Sequence, residues 1–161
     1  MPVLPSLAAA TATLTSTGTF TDTQTIVIGG KTYTSDTTLT TTDGHFLIGA
    51  DRTASHLNLL KAVNLSGVAG TDYATNMTIN PLVKAVSSDA TTTKFQAKIK
   101  GTIGNQIATT ETQTNASFGG TTMSGGSGNA IEALDDIMDY CQLNSEAQAA
   151  LANVLNLGAN D

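Results

Sequence analysis

Two histidines, one cysteine and thirteen acids are the side chains of this chain that could do chemistry. Acyl transfer needs a nucleophile beside a base, and the base needs a partner that orients it. His45 falls at the start of an extended run beside a turn, and His56 on the flank of a helical run. Sequence spacing puts no cysteine or carboxylate beside either, so both read as surface or packing residues. Cys141 continues an apolar helical stripe and reads as a small buried hydrophobe. No G-x-S-x-G elbow, H-E-x-x-H pair or zinc-spaced Cys/His pair occurs. Asp135, Asp136 and Asp139 could attract calcium, but a calcium loop alternates its oxygens and closes on a bidentate Glu. These three acids fall on a helix, which makes a solvated face, with electrostatic docking as the minority reading. Gly125-Gly126-Ser127-Gly128 precedes a helix as a phosphate loop would. However, no G-K-[ST] follows, and the helix opens with acids that would repel phosphate. The expectation is a chain with no catalytic residues, no metal and no cofactor, and no enzyme.

Charge is divided along the chain. All seven Lys and Arg residues precede residue 101 and balance the seven acids up to Glu111. From Asn129 to Asp161 there are six acids and no basic residue, so the net −6 belongs to this end. An acidic balance with few, scattered lysines argues against a phosphate-binding face, and hence against nucleic acid. No run of 18 apolar residues is present to span a membrane. The opening residues lack a basic region and carry Pro2 and Pro5, so a signal peptide is not expected. Without Trp and with few aromatics, the chain has no stacking platform for sugars, and its isolated acids lack the pairing of a glycosidase.

The elements that position these residues are legible from period and punctuation. Threonine occupies 29 positions, and its β-branched carbon favours half-exposed strands. Strands are expected at 24–28 and 31–34 around the Gly29-Gly30 hairpin, and at 45–48 after the Asp43-Gly44 turn. Further strands are expected at 82–87, 93–100 and 107–112, with a short extended piece at 118–123. In the 93–100 run, Phe95, Ala97 and Ile99 make the buried face. A helix is expected over 52–64, capped by Asp51 or Thr53, with Ala54, Leu57, Leu60 and Val63 as its apolar stripe. The fold class is α+β, with three parts. Residues 1–19 form an extended arm, which is disordered alone or a strand against a neighbour. Residues 20–126 form a β-rich body of antiparallel hairpins with one packed helix. Residues 127–161 form an acidic αα-hairpin joined by the flexible glycine run.

The ordered series Thr25-Ile26-Val27-Ile28-Gly29-Gly30-Lys31-Thr32-Tyr33-Thr34, Ile48-Gly49-Ala50-Asp51, Leu57 to Asn64 and Gly70-Thr71-Asp72-Tyr73-Ala74-Thr75 continues with Gly104 to Glu111 and Phe118 to Gly126. It resembles a module recurrent in structural proteins of tailed bacteriophages and prophages, over about residues 20–126. The resemblance implies a virion component made in the host cytoplasm and carries no catalytic residues with it. A capsid decoration, or cement, protein on the capsid surface is the leading expectation; a tail, neck or fibre component is the alternative. The partners expected are the major capsid protein or other virion proteins, and further copies of the chain, with a trimer as a candidate symmetry. Contacts are expected from Val3, Leu4, Leu7 and Leu14 of the arm. Ile131, Leu134, Ile137, Met138, Leu151, Val154 and Leu155 of the hairpin are the others, with open sheet edges assisting.

Overall fold

In a computed structural model that describes residues 7–128, these residues fold into two four-stranded sheets and one α-helix. The strands in chain order are β1 (Ala9–Ser16), β2 (Thr25–Ile28), β3 (Lys31–Asp36) and β4 (His45–Leu47). After the helix α1 (Arg52–Asn64) come β5 (Val83–Ser88), β6 (Thr92–Lys100), a 3-10 turn at Thr102–Gln106, β7 (Thr109–Glu111) and β8 (Ala116–Phe118).

The first sheet has the order β5-β6-β1-β8 and is antiparallel throughout. The second has the order β4-β3-β2-β7. Its β2–β3 hairpin turns on Gly29 and Gly30, both at positive φ, as the two-residue hairpin loop requires. The expectation of antiparallel hairpins fails at one pair: β4 runs parallel to β3, with Thr34 opposite His45 and Asp36 opposite Leu47.

The largest correction concerns the arm. Residues 9–16 are an inner strand of the first sheet, paired with β6 on one side and β8 on the other. Thr11, Thr13 and Thr15 alternate with Ala10, Ala12 and Leu14, and the small alanines let the strand sit between its neighbours. Leu14 and Ala10 are fully buried. The strand lacks bulky residues because it lies inside the fold, with partner strands on both sides. The glycine run is likewise tied down. Ser124 and Ser127 bridge to Thr11 and Ala8, and Asn105 Oδ1 accepts from Gly126 N at 2.8 Å. The proposed helical hairpin lies outside the described residues.

Helix α1 occupies the expected span. Asp51 caps it, accepting from Ala54 N at 2.8 Å. The buried face is not the expected one: Leu57 is 41% exposed, while Ser55, His56, Asn58, Leu59, Ala62 and Val63 face inward. The polar members of that face each have a backbone or hydroxyl partner. Ser55 Oγ donates to Asp51 O and accepts from Gly49 N, and Asn58 Nδ2 donates to Leu47 O. The helix thereby closes the irregular ends of both sheets, which apolar side chains could not do. Both sheets and the helix share one core, built around Leu14, Phe20, Ile26, Tyr33, Phe46 and Phe95. Phe20 meets Phe46 edge to face at 5.8 Å. In β6, Phe95 and Ala97 are buried as expected, but Ile99 is 47% exposed.

Candidate functional site

Folding brings each histidine against partners that sequence spacing does not show. His56, from α1, is wholly buried between β1 and β6. Its Nε2 is 2.7 Å from Ser16 Oγ and its Nδ1 is 2.7 Å from Thr93 Oγ1. A serine hydroxyl on an imidazole is the outline of an activated nucleophile. Here, however, Ser16 and Thr93 are 3% and 0% exposed, and Phe20 meets the ring edge-on with centroids 4.8 Å apart. Desolvation lowers the His56 pKa to about 4, with Arg52 acting in the same sense and Asp89 against it. The ring is therefore a neutral connector of three elements, with no approach for a substrate.

His45 lies at the start of β4, half-buried, with its Nδ1 2.5 Å from Asp36 Oδ2. The parallel register places the two side chains together, which explains why linear spacing missed the pair. An Asp–His pair orients an imidazole as in hydrolases. Among the described residues no hydroxyl or thiol bonds to its other nitrogen.

Three further carboxylates act as clamps. Asp43 accepts from Lys31 Nζ and from the backbone and hydroxyl of Thr78. Burial opposes its ionisation, but these donors outweigh it and hold the carboxyl at about 2. Asp72 bonds Lys61 Nζ at 2.8 Å and Val68 N at 2.7 Å, and is held below the usual range against a similar desolvation. Asp89 is lowered by the hydroxyls and amides of Thr91 and Thr92 in the β5–β6 turn. Among the described residues, no three His, Cys, Asp or Glu side chains converge where a cation could sit.

The sheet borders are less open than the sequence suggested. The outer edge of β4 pairs with Asp72–Ala74, through Leu47 N to Asp72 O and Ala74 N to His45 O. The edge of β7 is met by 121–123, through Thr109 N to Thr121 O and Met123 N to Ile107 O. On β5, Asn64 bonds both backbone groups of Ala85, and Asn80 Oδ1 accepts from Leu82 N and Val83 N. Side-chain amides here stand in for a ninth strand. Among the described residues β8, three residues long, has no such cover on its outer side. Next to the blocked β5 edge, large aliphatic side chains stand in water. Ile79, Leu82, Val86 and Ile99 are 47–51% exposed. Lys98 N donates to Leu82 O, which sets Leu82 opposite Lys98 at one end of the β5–β6 ladder, while Ile99 follows Phe95 and Ala97 on the other face.

Of the residues expected to make contacts, Leu14 is buried in the chain's own core and Leu7 is half-buried at a groove beside β6. Val3, Leu4, Ile131, Leu134, Ile137, Met138, Leu151, Val154 and Leu155 lie outside the described residues. Ile99 falls on the face expected to be buried and Leu82 and Val86 within an expected strand, so the strand pattern does not mark them as exposed. Ile79 and Leu82, flanking Pro81, were the available signal.

Compared with protein-family models, curated proteins and solved structures, the chain matches none. Among the described residues no helix is long and apolar enough to cross a membrane.

Proposed function

We propose that this chain is a bacteriophage virion structural protein, and specifically a capsid decoration protein that binds and stabilises the shell of major capsid protein. The resemblance of residues 20–126 to the phage structural module supports the virion. One observation carries the mode of action: a body that seals three of its four sheet edges with its own chain leaves Ile79, Leu82, Val86 and Ile99 in water. Exposed aliphatic side chains on and beside one strand pair fit burial against another protein. Sealed edges prevent the indiscriminate strand pairing that a concentrated surface protein would otherwise risk. Many weak contacts repeated over a symmetric shell would fasten it through avidity, without any strong single bond. The buried His56 network and the carboxylate clamps then serve rigidity, and the work is done by surface.

Copy number in purified particles tests the proposal. A decoration protein is present in numbers that match the capsid lattice and is visible on the shell by electron microscopy. A few copies confined to the neck, tail or fibres would replace decoration with the tail reading. Absence from particles altogether would refute both.

A further inference from the structure

Four of the chain's seven basic residues, Lys84, Lys94, Lys98 and Lys100, lie on β5 and β6 of the first sheet. All four are exposed. Lys94, Lys98 and Lys100 alternate with the inward Phe95 and Ala97, and Lys84 pairs with Gln96, so the four lysines share the outer face. Among the described residues none of them has a carboxylate within ion-pair distance, whereas Lys31 and Lys61 are paired with Asp43 and Asp72. Asp89, the acid closest in sequence, is occupied by Thr91 and Thr92. A groove of about 520 Å³ runs along this face, bordered by Leu7, Ala9, Lys84, Gln96, Lys98 and Lys100. Like charges aligned on one face without counter-charges repel one another and favour an anionic occupant.

The chain carries such an occupant, and it leaves the body at the rim of the groove. Ala8 N donates to Ser127 O, Gly101 N to Ala8 O, and Thr102 N to Gly128 O at 3.0 Å. Gly128 therefore sits beside Leu7–Ala8 and Lys100–Gly101, and from the next residue onward the sequence has six acids and no base. We infer that the acidic segment 129–161 docks on the lysine face of β5 and β6 of its own molecule. The unpaired lysines of this face and the acids of the segment thereby meet. The inference is independent of any location in a virion.

Cys141 is the chain's only cysteine and permits a direct test in the full-length protein. With a nitroxide on Cys141, the amide signals of Lys84, Gln96 and Lys100 should broaden severalfold more than those of β2 and β3. The broadening should vanish at about 1 M NaCl, where the screening length falls to about 3 Å. It should also vanish in the Lys84→Glu/Lys100→Glu variant, whose unchanged remaining spectrum reports an intact fold. A second label, at position 145 of a Cys141→Ser/Ser145→Cys variant, covers the case that a label at Cys141 itself disturbs the contact. No preferential broadening from either position overturns the inference. So does broadening that survives both salt and charge reversal, because the contact would then be apolar. Broadening seen only when a spin-labelled copy is mixed with an isotope-labelled, unlabelled copy overturns it in favour of a neighbouring molecule's segment.

Discussion

Ser16 and His56, forty positions apart, meet through a 2.7 Å hydrogen bond wholly inside the protein. With Thr93 on the other ring nitrogen, this bond ties β1, α1 and β6 together. Each hydroxyl can donate or accept, so it is burial, rather than the hydrogen bonds, that requires the neutral imidazole.

That requirement makes stability depend on acidity. The ring titrates near 4 in the folded state and near 6.5 when unfolded. Below the unfolded value the unfolded chain binds the extra proton, so stability is full above about pH 6.5 and declines as pH falls toward 4. The decline is on the order of 2–3 kcal/mol, at 1.36 kcal/mol per pKa unit. Urea titrations at about pH 7 and about pH 4.5 should show wild type losing more stability than His56→Gln. Equal losses in the two proteins would show that His56 contributes nothing to acid sensitivity.

Tyr33 is fully buried and its hydroxyl has no hydrogen-bond partner among the described residues. Burial pushes the phenol's pKa upward, against the influence of the nearby Asn80, so it stays neutral. An unpaired buried hydroxyl costs roughly 1–3 kcal/mol. Tyr33→Phe should therefore be neutral or stabilising by about 1 kcal/mol. A thermal midpoint lowered by several degrees would contradict the orphaned hydroxyl.

The Asp43 clamp joins the β3–β4 turn to the Thr78 segment before β5. Because the Asp43 side chain is 46% exposed, solvent screening reduces its worth, and Asp43→Asn should cost only about 1 kcal/mol. Its folded pKa is depressed, so the contribution is present above 3.8 and fades as pH falls through about 2. Gly44 is less forgiving. Its φ is +87°, and an added Cβ would run into the Thr32 carbonyl oxygen. Gly44→Ala should cost about 2–4 kcal/mol, through strain and a clash with backbone. A denaturation midpoint for Gly44→Ala above that of Asp43→Asn would reverse this ranking.

Removal of residues 1–6 should leave the far-ultraviolet circular dichroism and cooperative melting of the body intact. Removal of residues 1–19 takes out an inner strand with Ala10, Leu14 and Ser16, and should abolish the cooperative transition. A folded protein lacking 1–19 would mean that β1 is dispensable to the first sheet.

Leu82→Ser and Ile99→Ser alter half-exposed side chains and should change stability by no more than about 0.5 kcal/mol each. If this surface binds capsid, the double variant should show several-fold lower occupancy on particles. Undiminished occupancy would move the contact elsewhere on the body.

Local signals carried the hairpin at Gly29-Gly30, the span of α1 and its Asp51 cap, and the alternation of Phe95 and Ala97, because each depends on neighbours in the chain. The division of charge was equally plain, since it is a property of composition. Which face of α1 lies inward was decided by tertiary structure, where Ser55, His56 and Asn58 found partners on other elements that no helical period encodes. The place of residues 9–16 was decided in the same way. A threonine-alanine alternation is extended in any setting, and only the pairing partners β6 and β8 make it an inner strand. The His45–Asp36 pair and the sealed edge of β5 share that origin, as both require a strand register or a side chain supplied from elsewhere. Short-range conformational preference is written residue by residue, whereas burial and hydrogen-bond satisfaction are settled between distant segments once the core has closed.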